Sequence, residues 1–223
     1  MITEHWKHRR SVRQFIDKEV DYALIQDLID IIPCIPCQNG IVDHWWVVFG
    51  PEDFKDKEWL VDNIYHASWH PQKIEYFTGL ITAPYLFHSF KISPTRSKKN
   101  EPVRNNAFHA GVIVSQAVDK GLDAAPIACR EGWEANNVKL KQQYQKMIWQ
   151  RFKPALIKIS HTYENQVYRF NPDTIRSPMM SVGIGHGKPV LSPGVVKTYK
   201  DGISILGKPQ KAMENVSIWN LYE

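Results

Sequence analysis

The stretch FHAGVIVSQAVDKGLDAAPI, residues 108–127, decides how the chain is interpreted. Across residues 104–122, small and apolar side chains recur every three or four positions, as at Phe108, Gly111, Ser115 and Val118. This spacing places them on one face of a helix, and Gly121 is a typical helix terminator. The pattern therefore predicts a long, well-buried helix that ends in a turn.

Further elements are predicted on both sides of this helix. Apolar residues at helical spacing predict a helix over residues 20–32, which Asp21 can cap and Pro33 can stop. Strands are predicted at 44–50, 85–91, 155–160 and 180–185, and helices at 53–65 and 134–150. Residues 190–223 contain several prolines and glycines and predict an extended C-terminal arm. Without strict β-α alternation, a repeat or a linker, residues 1–223 predict one α+β or α/β domain.

The composition limits the class of protein. With 43% hydrophobic and 23% charged residues, the chain is neither disordered nor membranous in character. No segment approaches the ~20 apolar residues that a membrane helix needs. The first residues lack the apolar stretch of a secretory signal, and 3 cysteines are too few for a disulfide framework. We therefore expect a cytoplasmic protein that does not bind a membrane.

The positive charge raises the possibility of a nucleic-acid partner. The net charge is +5 and the pI about 9.0. However, the basic residues are scattered, and residues 96–99 form only a short run in a polar stretch. We therefore expect no nucleic-acid binding, although a basic nucleic-acid-binding module remains the less favoured alternative.

The strongest local signal is Arg9-Arg10-Ser11-Val12-Arg13-Gln14-Phe15. Guanidinium groups and a hydroxyl so close together offer many fixed hydrogen-bond donors, which a phosphate ester or an anionic ring requires. Taken alone, the same cluster is also typical of a solvated basic face.

This segment resembles the Arg-Arg-Ser-x-Arg-x-Phe signature of the nitroreductase family. The resemblance implies an FMN-binding α+β fold with a central, mostly antiparallel sheet flanked by helices, a homodimer, and a C-terminal arm that wraps the partner. It also implies that Arg9, Arg10 and Ser11 hold the phosphate and ribityl chain of FMN. Arg13 would then face N1 and O2 of the isoalloxazine.

Three more segments resemble parts of the same family in the same order. Pro33 to Gly40 resembles a loop that reaches the FMN of the partner subunit, which implies roles for Cys37, Gln38 and Asn39. The segment Gly-Leu-Asp-Ala-Ala-Pro-Ile implies that Pro126, Ile127 and Ala128 lie against the isoalloxazine and that a backbone N–H donates to N5. Residues 128–130 resemble an insertion, so Glu131 is the alternative donor. Residues 181–186 resemble the last core strand of the family, after which a basic residue returns to the FMN phosphate; this implies Lys197 and Lys200, with Lys188 as a weaker candidate.

The resemblance implies a ping-pong oxidoreductase that passes hydride from NADH or NADPH through FMN N5 to a small aromatic acceptor, such as a nitroaromatic, a quinone or a flavin. The flavin performs this chemistry, so we expect no catalytic side chain and no metal. The main alternative is a flavin-binding protein, or a specialised relative, without general nitroreductase turnover.

The segment Cys34-Ile35-Pro36-Cys37 also has the C-x-x-C spacing of thiol-disulfide enzymes, but the β-α-β context of those enzymes is missing. The sequence also lacks the spaced set of four ligands that a structural zinc site requires.

Overall fold

The structure is a computed structural model that describes residues 12, 14–37, 43–65, 74–92, 101–129, 137–152 and 172–188. The helices are α1 (Tyr22–Ile31), α2 (Phe54–Leu60), α3 (Ile74–Thr82), α4 (Glu101–Asp119) and α5 (Val138–Phe152). The strands are β1 (His44–Phe49), β2 (Tyr85–Ile92), β3 (Asp123–Ala128) and β4 (Ile175–Gly185). The predicted strand at 155–160 and the predicted arm at 190–223 lie outside the described residues.

The central sheet has the strand order β1-β2-β4-β3, and every pair in it is antiparallel. The α+β fold with a mostly antiparallel sheet is therefore confirmed. β4 is longer than predicted because it begins before Pro178, which interrupts the sequence pattern. Pro178 pairs with Phe90 at an irregularity between β2 and β4, where proline is tolerated.

Helices cover both faces of the sheet. On one face, Ile25 and Leu28 of α1 pack with Ile113 of α4 in a buried cluster that includes Phe87 of β2. On the other face, a second cluster joins β2 to α2, α3 and α5; its members include Leu60, Leu80, Leu86, Phe90 and Ile148. Because both faces are buried, β2 has apolar residues on both of its faces, such as Phe87 on one and Leu86 on the other, instead of a strict alternation.

The long helix predicted over 104–122 is confirmed as α4, and the turn after it contains Gly121 at φ 75°. The helix predicted over 20–32 is α1, and Asp21 caps it by accepting a hydrogen bond from the Ala23 amide at 2.9 Å. The helix predicted over 53–65 is present as α2, which continues into a π-helical turn at Val61–Tyr65. Neither α3 nor β3 was predicted from the pattern.

The N-terminal segment crosses the end of the sheet. Val12 N donates to Ala124 O at 3.3 Å, and Ile16 N donates to His186 O at 2.9 Å. Phe15 forms an isolated antiparallel bridge with Gly187 and is buried with Val12, Ala83 and Ala125. Two chain segments that are far apart in the sequence are thus held side by side.

The glycines of β4 make this crossing possible. A Cβ atom at Gly185 would lie 2.5 Å from Pro84 Cδ and 3.1 Å from Phe15 Cδ1. At Gly183, a Cβ atom would lie 3.0 Å from Ala83 Cβ and 3.3 Å from Phe15 Cε2. The contact at Gly185 is closer than a Cβ atom tolerates, and the contacts at Gly183 would force the neighbouring side chains to shift. The glycines therefore let the Phe15 ring and the turn after α3 lie directly on the strand.

Gly185→Ala should therefore lower the free energy of unfolding by about 1–3 kcal/mol, because the new methyl group collides with Pro84 and Phe15. Urea denaturation measures the difference. His186→Ala is the control, since it changes the next residue without adding an atom at this contact, and it should cost less than about 1 kcal/mol. A Gly185→Ala variant as stable as the wild type would contradict the close packing.

Candidate functional site

Of the residues predicted to bind FMN, the structure describes Cys37 and the segment Pro126, Ile127 and Ala128. The others lie outside the described residues: Arg9, Arg10, Ser11, Arg13, Gln38, Asn39, Lys197 and Lys200, together with the alternative donor Glu131. The weaker candidate Lys188 is described, and its backbone amide donates to Gln14 O at 2.9 Å.

The segment from Pro126 to Ala128 lies in the edge strand β3. Ile127 pairs with Ser181 of β4, and Cys129 N donates to Met179 O at 2.8 Å beyond the strand. In an antiparallel pair the backbone groups of alternate residues point towards the partner strand, so those of Ile127 and Cys129 point towards β4. The backbone groups of Pro126 and Ala128 point to the outer edge. Since proline has no N–H, Ala128 supplies the outward N–H of this segment.

From the sequence, residues 128–130 are interpreted as an insertion. In the structure, its first two residues continue along the strand instead of forming a separate loop. Ala128 is the last residue of β3, and Cys129 still bonds to the neighbouring strand. The exposed side chain of Ala128 is small, so it leaves the outer edge accessible beside the N–H. The backbone donor therefore lies on an ordered strand rather than on a free loop.

The N-terminal segment reaches this same outer edge. Val12 donates its amide to Ala124 O, which lies on the edge of β3 that Pro126 and Ala128 share. Asp123 accepts a hydrogen bond from Gly187 N at 2.7 Å and so holds the start of β3 against the end of β4. Ser11 and Arg13 flank Val12 in the sequence. The structure thus brings the middle of the basic segment to the strand that carries the predicted isoalloxazine contacts.

Cys37 belongs to a buried polar cluster at the start of α4. Its Sγ atom lies 3.5 Å from His109 Nε2, and the His109 ring packs edge-on against His44 with centroids 4.6 Å apart. Asp43 accepts hydrogen bonds from Asn105 Nδ2 at 2.9 Å and lies 2.7 Å from His44 Nδ1. His109 and Asn105 lie one turn apart on α4. They contact Cys37 and Asp43, respectively, and so hold the chain at both places.

The electrostatics of this cluster keep Cys37 and His109 uncharged. Burial raises the pKa of the Cys37 thiol, and the Asp43 carboxylate raises it further. Burial, together with the nearby His44 imidazole, lowers the pKa of His109 to about 4. Cys34 lies in a 3-10 helix after the C-terminal end of α1, and its side chain is exposed. These positions do not favour thiol-disulfide chemistry at the C-x-x-C sequence.

The sequence interpretation did not identify Asp43, His44, Asn105 or His109 as site residues. A signal was present, since Asn105, Asn106 and His109 are polar positions on the face of α4 that is buried in the structure. Polar side chains on a buried helix face usually have a specific partner. That pattern could have pointed to a polar cluster beneath the helix.

Two further findings concern the described residues only. None of their helices combines the length and the apolar character needed to cross a bilayer. No group of three or more His, Cys, Asp or Glu side chains among them is placed to hold a metal ion.

Solved structures of nitroreductases have the same fold. A nitroreductase family protein from Clostridium novyi NT has a TM-score of 0.54 at 19% identity, covering 83% of this chain and 84% of its own. An FMN-dependent nitroreductase from Clostridium difficile R20291 has a TM-score of 0.53 at 19% identity, covering 83% and 87%. An FMN and NADPH-dependent nitroreductase from Sphigopyxis sp. strain HMH has a TM-score of 0.50 at 15% identity, covering 82% and 87%. The predicted nitroreductase-like fold is confirmed. No protein-family model and no curated protein matches the chain.

The His109 cluster should make stability depend on pH. The pKa of His109 is about 4 in the folded chain and near its ordinary value of 6.5 when unfolded, so the unfolded chain takes up the proton first as pH falls. Wild-type stability should therefore fall by on the order of 1–3 kcal/mol between pH 6.5 and pH 4 from this residue. His109→Gln should be less stable at pH 7 but lose less stability on acidification in urea titrations. Equal acid slopes for the two proteins would refute the assignment.

Proposed function

We propose that the chain is an FMN-dependent oxidoreductase of the nitroreductase family that uses NADH or NADPH to reduce a small aromatic acceptor. The observation that supports this proposal best is the hydrogen bond from Val12 to Ala124. It joins a segment rich in phosphate-binding side chains to an exposed strand edge that offers a backbone donor. The fold shared with FMN-dependent nitroreductases agrees with it.

The basic segment supplies the charge that the cofactor's phosphate needs. Arg9, Arg10 and Ser11 can donate several charge-assisted hydrogen bonds to one phosphate. Lys197 and Lys200 add two more cations from the C-terminal part of the chain. Arg13 lies on the other side of Val12 in the sequence and faces the pyrimidine end of the isoalloxazine, where a cation stabilises the negative charge of the reduced ring.

The outer edge of β3 suits the flat ring of a flavin. Ala128 presents a backbone N–H as the donor to N5, and the small side chains of this strand let a ring approach the backbone closely. When bound, FMN supplies hydride transfer between the nicotinamide and the acceptor. The protein orients the ring, stabilises charge near N1 and leaves one side open for flat acceptors such as nitroaromatics, quinones or flavins.

The site is completed by a second copy of the chain. In the proposed dimer, Cys37, Gln38 and Asn39 reach the FMN of the partner subunit, and the contacts of Cys37 and Asp43 with α4 fix the two ends of that loop. Two large apolar side chains of α4 are exposed: Val103 is 46% exposed and Phe108 is 53% exposed. A helix that faced only solvent would not be expected to expose them. Nothing among the described residues lies within 4 Å of a Cβ atom built at Gly111. A glycine in the middle of a helix lowers stability by about 1 kcal/mol relative to alanine. In the proposed dimer, the close approach of a second helix explains why glycine stands at this position.

The purified protein should be yellow and should quench FMN fluorescence on titration. Arg13→Gln should raise the FMN Kd about tenfold or more, since it removes a charge-assisted hydrogen bond. Arg176→Gln, an exposed position at the start of β4, is the matched control and should leave the Kd unchanged.

Activity is tested on the same preparation. NADH or NADPH should bleach the bound flavin, and menadione or nitrofurazone should restore its absorption and drive continued NAD(P)H consumption. A bound flavin that stays oxidised would support a flavin-binding protein without turnover. Absence of FMN binding by the wild type, even in dilute buffer, would overturn the proposed function. Salt-sensitive retention of oligonucleotides would instead support the nucleic-acid-binding alternative.

Dimerisation is tested on the exposed face of α4. Phe108→Asp should convert a dimer into a monomer in light scattering at micromolar concentration and weaken FMN binding, because it places a charge at an apolar contact. Val138→Asp on α5 is the matched control, since Val138 is 70% exposed on a different helix. A wild-type monomer that still holds FMN would contradict the proposed dimer.

A further inference from the structure

A chain of buried polar side chains runs behind β3. Cys129 Sγ donates to Tyr65 Oη at 3.1 Å, and Ser181 hydrogen-bonds the same tyrosine. Ser181 Oγ lies 2.8 Å from His88 Nδ1, and His88 Nε2 lies 2.8 Å from Tyr144 Oη. The five residues come from five elements of the fold: the end of β3, the π-helical turn, β4, β2 and α5. Together they form what we call the thiol chain.

The thiol chain is electrically neutral and its hydrogen bonds form one consistent sequence. Burial lowers the pKa of His88 to about 3 and raises that of Tyr65 well above its ordinary value. With the thiol as the first donor, Tyr65 can donate to Ser181, Ser181 to His88 Nδ1, and His88 Nε2–H to Tyr144. The three inner members, Tyr65, Ser181 and His88, then each donate one proton and accept one, which is the arrangement that makes a buried polar network stabilising. Loss of any one member leaves a neighbour in the core without its partner.

The thiol chain ends next to the exposed backbone donor. Cys129 is held twice, by its amide to Met179 O at 2.8 Å and by its thiol to Tyr65. Ala128 precedes it, and its N–H points to the opposite, outer edge. Strand alternation places the Cys129 side chain on the same face as Ile127, which packs against the core cluster that contains Tyr65. The thiol therefore fixes the end of β3 from behind.

We propose that Cys129 is a positioning residue for the flavin, acting through the thiol chain to fix where the Ala128 N–H meets the isoalloxazine. The inference rests on the proposed FMN site, and it adds a residue and a physical route to it. The Cys129 side chain packs against the core cluster, so it would act on the cofactor through the backbone. Its effect reaches N5 through the backbone of Ala128, since the peptide plane between Ala128 and Cys129 shares the Ala128 Cα with the preceding plane, which carries the Ala128 N–H. A thiol suits this place because it packs among apolar neighbours and still donates a weak hydrogen bond.

The test compares Cys129→Ala, Cys129→Ser and the control Cys34→Ala in the full-length protein. Cys129→Ala should raise the FMN Kd about fivefold and shift the absorption band of the bound flavin, because the N5 donor is no longer fixed. Cys129→Ser restores a donor to Tyr65 and should return both values to within about twofold of the wild type. Cys34→Ala removes an exposed thiol and should match the wild type in both measurements.

Tyr65→Phe gives an independent route to the same answer if Cys129→Ala folds poorly. It removes the acceptor of the thiol while keeping the ring, and it should shift the flavin band in the same direction. The double variant should be no worse than the worse single variant, because both substitutions break the same hydrogen bond between Cys129 and Tyr65.

The outcomes separate the two proposals. Absence of FMN binding by the wild type overturns both. Normal FMN binding by the wild type, with an unchanged Kd and flavin spectrum in Cys129→Ala and in Tyr65→Phe, overturns the role of Cys129 alone. A loss of stability without any spectral shift also overturns it, since the thiol chain would then support only the fold.

Discussion

The contact between Phe15 and the glycines of β4 is the constraint on which the arrangement depends. Phe15 lies directly on the strand because Gly183 and Gly185 have no side chains, and this places Val12 against β3. Lys57 strengthens the same place by donating to Ala83 O at 2.8 Å at the end of α3. Burial lowers the pKa of this lysine, with Asp53 and Glu52 acting against that effect. Lys57 thus binds the backbone carbonyls of Ala83 and Pro84, the two residues that pack against the glycines.

Polar groups are buried on both faces of the sheet, and they perform different tasks. On the α4 face, the contacts of Asn105 with Asp43 and of His109 with Cys37 hold the chain on either side of residues 38–42. On the opposite face, the thiol chain joins β2, β3 and β4 to two helices through His88 and Ser181. Each set links segments distant in the sequence, so its hydrogen bonds form only in the correct tertiary arrangement. An apolar core tolerates alternative packings more readily, whereas a polar network that must be satisfied favours one.

Helices and strands with a strong sequence pattern were predicted correctly. Those that depend on tertiary packing were missed. α1, α4, β1 and β2 have clear periodic or β-rich patterns. β3 was missed because its sequence contains three alanines and Pro126, which do not favour strands. The structure explains the tolerance, since the N side of Pro126 faces the outer edge and no ladder bond is lost. α3 contains Gly79 and several β-branched or aromatic residues, so packing against the sheet rather than propensity stabilises it.

The site could be predicted only in part for a similar reason. Local segments pointed to the basic cluster and to Pro126, Ile127 and Ala128 as candidates, because each segment is contiguous in the sequence, although the strand β3 itself was not predicted. His109, Tyr65 and Cys129 gain their roles from residues 64 or more positions away, and no local pattern contains that information. Gly183 and Gly185 link local sequence to tertiary structure. They form a short motif in the sequence, yet they permit the long-range contact with Phe15. A substitution at these glycines therefore acts on the fold and on the proposed cofactor site together.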